Sequence, residues 1–159
     1  MMRRLVLLAS LTAISLPAFA HGADRGEAKV KVAGKSVAID YGRPTLNGRD
    51  MLGQAQIGAP WRMGADAATT LKTEADLSFG TAAVAKGEYV LTATKLGDGQ
   101  WTLNVLTKER AKVVDVPLEA VKLPDTVEML TIGLTGDKDK GELTMSWGAL
   151  ALKAAFTGK

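Results

Sequence analysis

Cysteine is missing from this 159-residue chain, and histidine occurs once. The first absence excludes disulfides, thiol nucleophiles and thiolate metal sites, so the fold has to be stabilised by burial. The second leaves a Ser-His-Asp arrangement or an imidazole-based metal centre with only His21 to draw on. Runs of basic residues are also absent. Lys and Arg number 20 against 17 Asp and Glu, and the excess nearly vanishes once Arg3 and Arg4 are set aside. Such a balance argues against a nucleic-acid partner. Long apolar runs are limited to residues 5–16, which are too few to cross a bilayer as a helix.

That run has the marks of a targeting segment. Arg3 and Arg4 supply a positive start, Pro17 breaks the apolar stretch, and Ala18-Phe19-Ala20 is an A-x-A cleavage signal. Residues 1–20 are therefore read as a cleaved signal peptide. His21 becomes the first mature residue, residues 21–28 a flexible mature N-terminus, and residues 29–159 a single β domain. No cysteine follows the run, which excludes a lipid anchor, and no membrane anchor is expected after cleavage. The expected location is periplasmic or secreted.

What is present is alternation. Val30 and Val32 alternate with lysines; Val37, Ile39 and Tyr41 follow after an Ala33-Gly34-Lys35 turn. Tyr89, Leu91 and Ala93 share one face, with Val90, Thr92 and Thr94 opposite. Trp101, Leu103 and Val105 come after Gly97-Asp98-Gly99, and Leu130, Ile132 and Leu134, then Leu143, Met145 and Trp147, continue the pattern. Leu150, Leu152, Ala154 and Phe156 form the last stripe. A period of two predicts half-buried strands. Weaker strands are expected over residues 69–73, 76–79 and 113–118, while residues 119–123 are ambiguous. Gly148-Ala149 reads as a type II′ hairpin turn and residues 136–141 as a longer polar loop. The expected fold is all-β, an antiparallel β-sandwich of about eight to nine strands, with a β-barrel as the alternative.

Residues 41–70 break the alternation. This span holds Arg43, Arg49 and Arg62 beside glycines, Pro44 and Trp61, and residues 41–68 are expected to lie irregularly across one end or edge of the sheets. Its motifs, Tyr41-Gly42-Arg43-Pro44, Gly48-Arg49, Trp61-Arg62-Met63-Gly64-Ala65 and Thr69-Thr70, resemble the signature of the bacterial domain-of-unknown-function 2911 (DUF2911) family. Ala85-Lys86-Gly87-Glu88-Tyr89 is similar to that family's P-A-G-x-Y strand entry, and Gly99-Gln100-Trp101-Thr102 to its x-x-W-T strand. The resemblance runs from about Lys29 to Phe156 and implies an exported, β-rich bacterial domain without implying a reaction. Where the family often reads G-A-N-E-A-T, this chain has Asp66 and Ala67, so a carboxylate replaces an amide and a glutamate is lost.

The candidate ligand-binding residues are Arg43, Arg49, Trp61, Arg62 and Asp66. Guanidinium groups suit bidentate binding of carboxylate or phosphate, and an aromatic ring offers a flat surface to a sugar. The competing structural reading ties the arginines to Asp40, Asp50 or Asp66 and to loop carbonyls, and packs Met51, Leu52, Ile57, Trp61 and Met63 on the core. Other motifs fail on inspection. Gly34-Lys35-Ser36 lacks the first glycine of a P-loop, and residues 137–142 lack the ligand set of an EF-hand. A copper site at His21 lacks a second imidazole. No cofactor, metal or catalytic residue is expected. The function expected is a non-catalytic binding module for a small anion or acidic glycan. The alternatives are an envelope interaction domain and a carboxylate-dependent hydrolase of envelope polymers.

Overall fold

The computed structural model describes residues 24–159 and is all-β. The expected signal peptide and His21 lie outside the described residues. Ten strands follow in order: β1 Asp24–Val32, β2 Lys35–Arg43, β3 Pro60–Trp61, β4 Thr70–Thr73, β5 Leu77–Phe79, β6 Ala82–Val84, β7 Gly87–Gly97, β8 Gln100–Leu106, β9 Lys112–Asp137 and β10 Lys140–Gly158. All strand pairings are antiparallel, in the order β1-β2-β4-β7-β8-β9-β10-β5-β6, with β3 beside β7. The two layers expected from the sequence are arms of one continuous sheet, which does not close into a barrel.

The long β9–β10 hairpin makes this possible. Residues 112–119 of β9 pair with β8, whereas residues further along reach the opposite arm. There Thr45 bridges Met129, the Leu46 amide donates to the Glu128 carbonyl at 3.0 Å, and the Leu130 amide donates to Pro44 at 3.0 Å. The register explains the crossing. Ser146 pairs with Thr131 and Gly148 with Val127, so β9 carries extra residues opposite Trp147. Those extra residues leave β10 and satisfy their backbone groups on residues 44–46 instead, as buried amides require.

Several elements differ from the sequence reading for identifiable reasons. Gly148 is not a hairpin turn. It sits at φ +65° inside β10 at the register shift, where a glycine relieves a bulge. The reversal between β9 and β10 is at Lys138-Asp139, inside the polar loop expected over residues 136–141, between paired Asp137 and Lys140. Residues 119–123 are strand, and both Pro117 and Pro124 lie within β9. Pro117 faces only β8, because pairing with β10 stops at Glu119, and Pro124 falls in a gap between the Lys122 and Val127 pairings. A missing N–H is tolerated at such positions. Tyr41-Gly42-Arg43 belongs to β2, so the irregular span is shorter than expected. β1 begins at Asp24, ahead of the residue-29 boundary read from the sequence.

The core collects the predicted stripes. Ile39, Tyr41, Leu91, Ala93, Trp101, Leu103, Val105, Leu130, Ile132, Met145, Trp147 and Leu152 are all buried in one cluster. Phe79 and Phe156 close one end, with ring centroids 5.3 Å apart.

Candidate binding cleft

Residues 44–59 and 62–69 form the irregular cover, and its arginines are spread out rather than gathered. Arg43 follows Tyr41 on one face of β2. The Tyr41 hydroxyl donates to the Ile132 carbonyl at 3.3 Å and Arg43 Nε to the Leu130 carbonyl at 3.4 Å. The two side chains, two residues apart, staple β2 to two carbonyls two residues apart on β9. Arg49 Nε donates to the Leu46 carbonyl at 3.2 Å, within its own turn. Arg62 Nη2 donates to the Asp66 carbonyl at 3.0 Å, again within its own loop. Two of the acids named as partners, Asp40 and Asp50, go elsewhere. Asp40 pairs with Arg25, which also donates to the Ala67 carbonyl, and Asp50 accepts the Gly53 amide at 2.9 Å.

The 61–70 motif is a packed loop. Trp61 stacks on buried Trp147 at 5.7 Å with planes 18° apart, and Trp147 Nε1 donates to the Glu128 carbonyl at 3.2 Å. Met63 is fully buried. Thr69 Oγ1 closes the loop on the Met63 carbonyl at 2.9 Å. The loop backbone lies directly on β2: a Cβ on Gly42 would stand 2.0 Å from the Ala65 carbonyl oxygen. Asp66 has φ +60°, the left-handed region that Asp and Asn enter more readily than other side chains.

The concave feature lies on the other side of this cover. Pairing of β3 with β7 sets Pro60 beside Thr94. The outward residues of β7, β8 and β9 then form rows: Thr94 opposite Thr102, and Thr92 opposite Asn104, which faces Asp115. With Gly58, Leu96, Leu106, Arg110 and Lys112 they line a cleft of about 560 Å³. This size is ordinary for a small-molecule site. Its floor is polar yet covered: Thr92 and Thr94 are 7% exposed, Thr102 and Asn104 8%.

One network organises that floor. Asn104 Oδ1 accepts from Thr92 Oγ1 at 3.1 Å and from Thr94 Oγ1 at 2.7 Å. Asn104 Nδ2 donates to Asp115 Oδ1 at 2.9 Å, and Lys112 Nζ to Asp115 Oδ2 at 2.6 Å. The Lys112 ammonium, and after it the Asn104 amide, hold the Asp115 carboxyl below its usual pKa, outweighing the opposing effect of burial. Arg110 stands on the tight β8–β9 turn, fixed by its amide on the Thr107 carbonyl at 2.9 Å. It takes part in no ion pair among the described residues. Chemically the cleft offers uncharged hydrogen-bonding groups below and, at one end, Arg110 beside the paired Lys112 and Asp115.

Of the five site residues read from the sequence, none lines this cleft. Arg49 borders a separate hollow of about 360 Å³ with Asp50, Glu128 and Gly148. Sequence reasoning passed over Thr92, Thr94, Thr102, Asn104, Asp115 and Arg110. A signal was there: the outward positions of two neighbouring strands carry short hydroxyl and amide side chains in place of the usual lysines and glutamates. Among the described residues, no group of three or more His, Cys, Asp or Glu side chains is placed to hold a metal ion.

The fold and this arrangement define an all-β domain with a polar cleft on β7, β8 and β9. The family model described as "Protein of unknown function (DUF2911)" matches residues 23–156, and the chain belongs to that family. No curated protein and no solved structure gives a significant match. The Trp61-Arg62-Met63-Gly64-Ala65 motif lies on the loop that packs Trp61 on Trp147. Asp at position 66, like the Asn that the resemblance leads one to expect there, is suited to its positive φ.

Proposed function

We propose that this chain is a non-catalytic binding module, exported from the cell, whose ligand is a small anion or acidic glycan held in the β7–β8–β9 cleft. The observation that carries the reading is the covered, uncharged hydrogen-bonding floor beside Arg110. Surface strands ordinarily leave such positions to solvent; here four small polar side chains sit at the bottom of a hollow large enough for a sugar residue. Arg43, Arg49, Trp61, Arg62 and Asp66 take an indirect part. Arg43 ties β2 to β9, and the other four hold the cover and β3, whose Gly58 and Pro60 form one wall of the cleft.

Catalysis is poorly supported by the same chemistry. Asp115 is the one carboxylate lining the cleft, and it is ion-paired with a lowered pKa, the reverse of what a general acid needs. In the Arg49 hollow, Asp50 and Glu128 each accept a loop amide, from Gly53 at 2.9 Å and from Asn47 at 3.0 Å.

A thermal-shift panel of phosphate, sulfate, uronic-acid oligosaccharides and neutral oligosaccharides tests the reading. An anionic compound is expected to raise the melting temperature of the protein, and Arg110→Gln to abolish the rise without changing the unliganded value. A rise lost in Arg62→Ala and kept in Arg110→Gln would move the site back to the cover. A panel with no rise at all would refute the binding reading.

A further inference from the structure

We infer that the cleft selects its ligand by hydrogen-bond direction: the floor accepts and the cationic end donates. The ligand is therefore a saccharide acid whose free ring hydroxyls lie on Thr92 and Thr94 and whose carboxylate faces Arg110. This deepens the proposed function and rests on it.

The direction is set from one end of the network. Lys112 has only donors, so the oxygen it meets belongs to an acceptor, the Asp115 carboxylate. An ionised carboxylate accepts only, which turns the Asn104 amide so that Nδ2 faces it; the opposite flip would press oxygen on oxygen. Asn104 Oδ1 then points toward β7 and takes the hydroxyl protons of both Thr92 and Thr94, filling its two lone pairs. On β8 the Thr102 proton is also committed, to the Val116 carbonyl at 3.2 Å. Three hydroxyl groups have thus given away their protons and keep lone pairs. The second Asn104 amide hydrogen is the single donor left among these four side chains.

A surface of that kind pairs with groups that bring protons. Thr92 and Thr94 oxygens share one acceptor, so they lie no more than about 6 Å apart, within the reach of hydroxyls on one sugar ring. Leu96, 56% exposed, and Pro60 give the wall an apolar surface for the C–H face of a ring. Arg110 has only donors and no carboxylate partner among the described residues, which suits the acid group. A ligand that is anionic but cannot donate leaves the threonine oxygens unpaired on binding, which is costly in a covered site. A fully deprotonated inorganic anion such as sulfate therefore uses only one end of the cleft.

Titration calorimetry on the full chain tests this. The probes are glucuronate and galacturonate trisaccharides, their O-methylated forms with carboxylates kept free, the neutral hexose trisaccharides, and inorganic phosphate. At least one uronate trisaccharide is expected to bind. O-methylation and removal of the carboxylate are each expected to weaken it about tenfold. Thr92→Val/Thr94→Val, which keeps the β-branched shape, should reproduce the loss from O-methylation. Arg110→Gln, an exposed turn substitution, should reproduce the loss from the neutral sugar. Equal binding of the O-methylated form overturns the directional inference while the binding reading stands, as does phosphate binding with no saccharide binding. Silence from every probe overturns both.

Discussion

Gly42→Ala is the sharpest perturbation the fold offers, since one methyl group tests the join between the cover and the sheet. The new Cβ would lie 2.0 Å from the Ala65 carbonyl oxygen and 2.8 Å from its carbon. Both are backbone atoms, so no side chain can swing away. Gly64 faces the same contact from the other side, where a Cβ would be 3.0 Å from the Gly42 oxygen and from Thr69 Oγ1. The loop must therefore lift by more than an ångström, loosening the Trp61–Trp147 stack and the Thr69 closure with it. Overpacking a tight interior ordinarily costs about 1–3 kcal/mol, and a backbone clash belongs at the upper end. About 3 kcal/mol is a large part of a domain's stability and lowers the melting temperature by roughly 10 °C. The control is Gly133→Ala, also within a strand, where a Cβ meets nothing within 4 Å and φ is not in the left-handed region. There the entropic advantage of alanine gives a change of about zero to 1 kcal/mol in the stabilising direction. Urea denaturation of both variants, with slopes compared, reads the difference. Equal midpoints for Gly42→Ala and Gly133→Ala would refute the close approach of loop and sheet.

Trp147→Ala empties a buried site and removes both the stack on Trp61 and the donor to Glu128, so a loss of about 3–5 kcal/mol is expected by chemical denaturation. Trp61→Ala, at a half-buried position, should cost clearly less in the same assay. Tyr41→Phe takes away one buried hydrogen bond to Ile132 and should cost about 1 kcal/mol, read from the urea midpoint. The lowered pKa of Asp115 gives a pH dependence of known sign: its contribution is present above the unfolded value of about 3.9 and lost as pH falls through the lower folded value. Stability of the native protein should therefore fall more steeply below about pH 4 than that of Asp115→Asn, and parallel curves would remove the network from the account. The change is small, because the Asp115 side chain is 39% exposed.

Local alternation was enough to place most strands. Val37, Ile39 and Tyr41, or Leu143, Met145 and Trp147, can be buried on one face only if the chain is extended, and each set is buried in the core. The errors fell where long-range pairing overrules a local cue. Gly148 has the composition of a turn, but its neighbours pair across a bulge that exists because β9 must also reach residues 44–46. Residues 119–123 stayed ambiguous beside Pro124 until the partner strands were known, and Pro124 then sits in a gap in the pairing where no amide is needed from it. The arginines of the cover were conspicuous because charge is visible in a sequence. The cleft floor was inconspicuous because threonine and asparagine take their meaning from what stands opposite them.

Composition and period alone determined that this chain has no disulfide, builds its core from alternating apolar side chains and carries one irregular cover; each follows from side-chain chemistry read in order. Only the tertiary structure decided that Arg43, Arg49 and Arg62 turn to three separate carbonyls, and that Thr92, Thr94, Asn104 and Asp115 join in one hydrogen-bonded line. The physical reason is that hydrogen bonds are short and directional: residues distant in the chain acquire a common function only when strand register brings their atoms within about 3 Å.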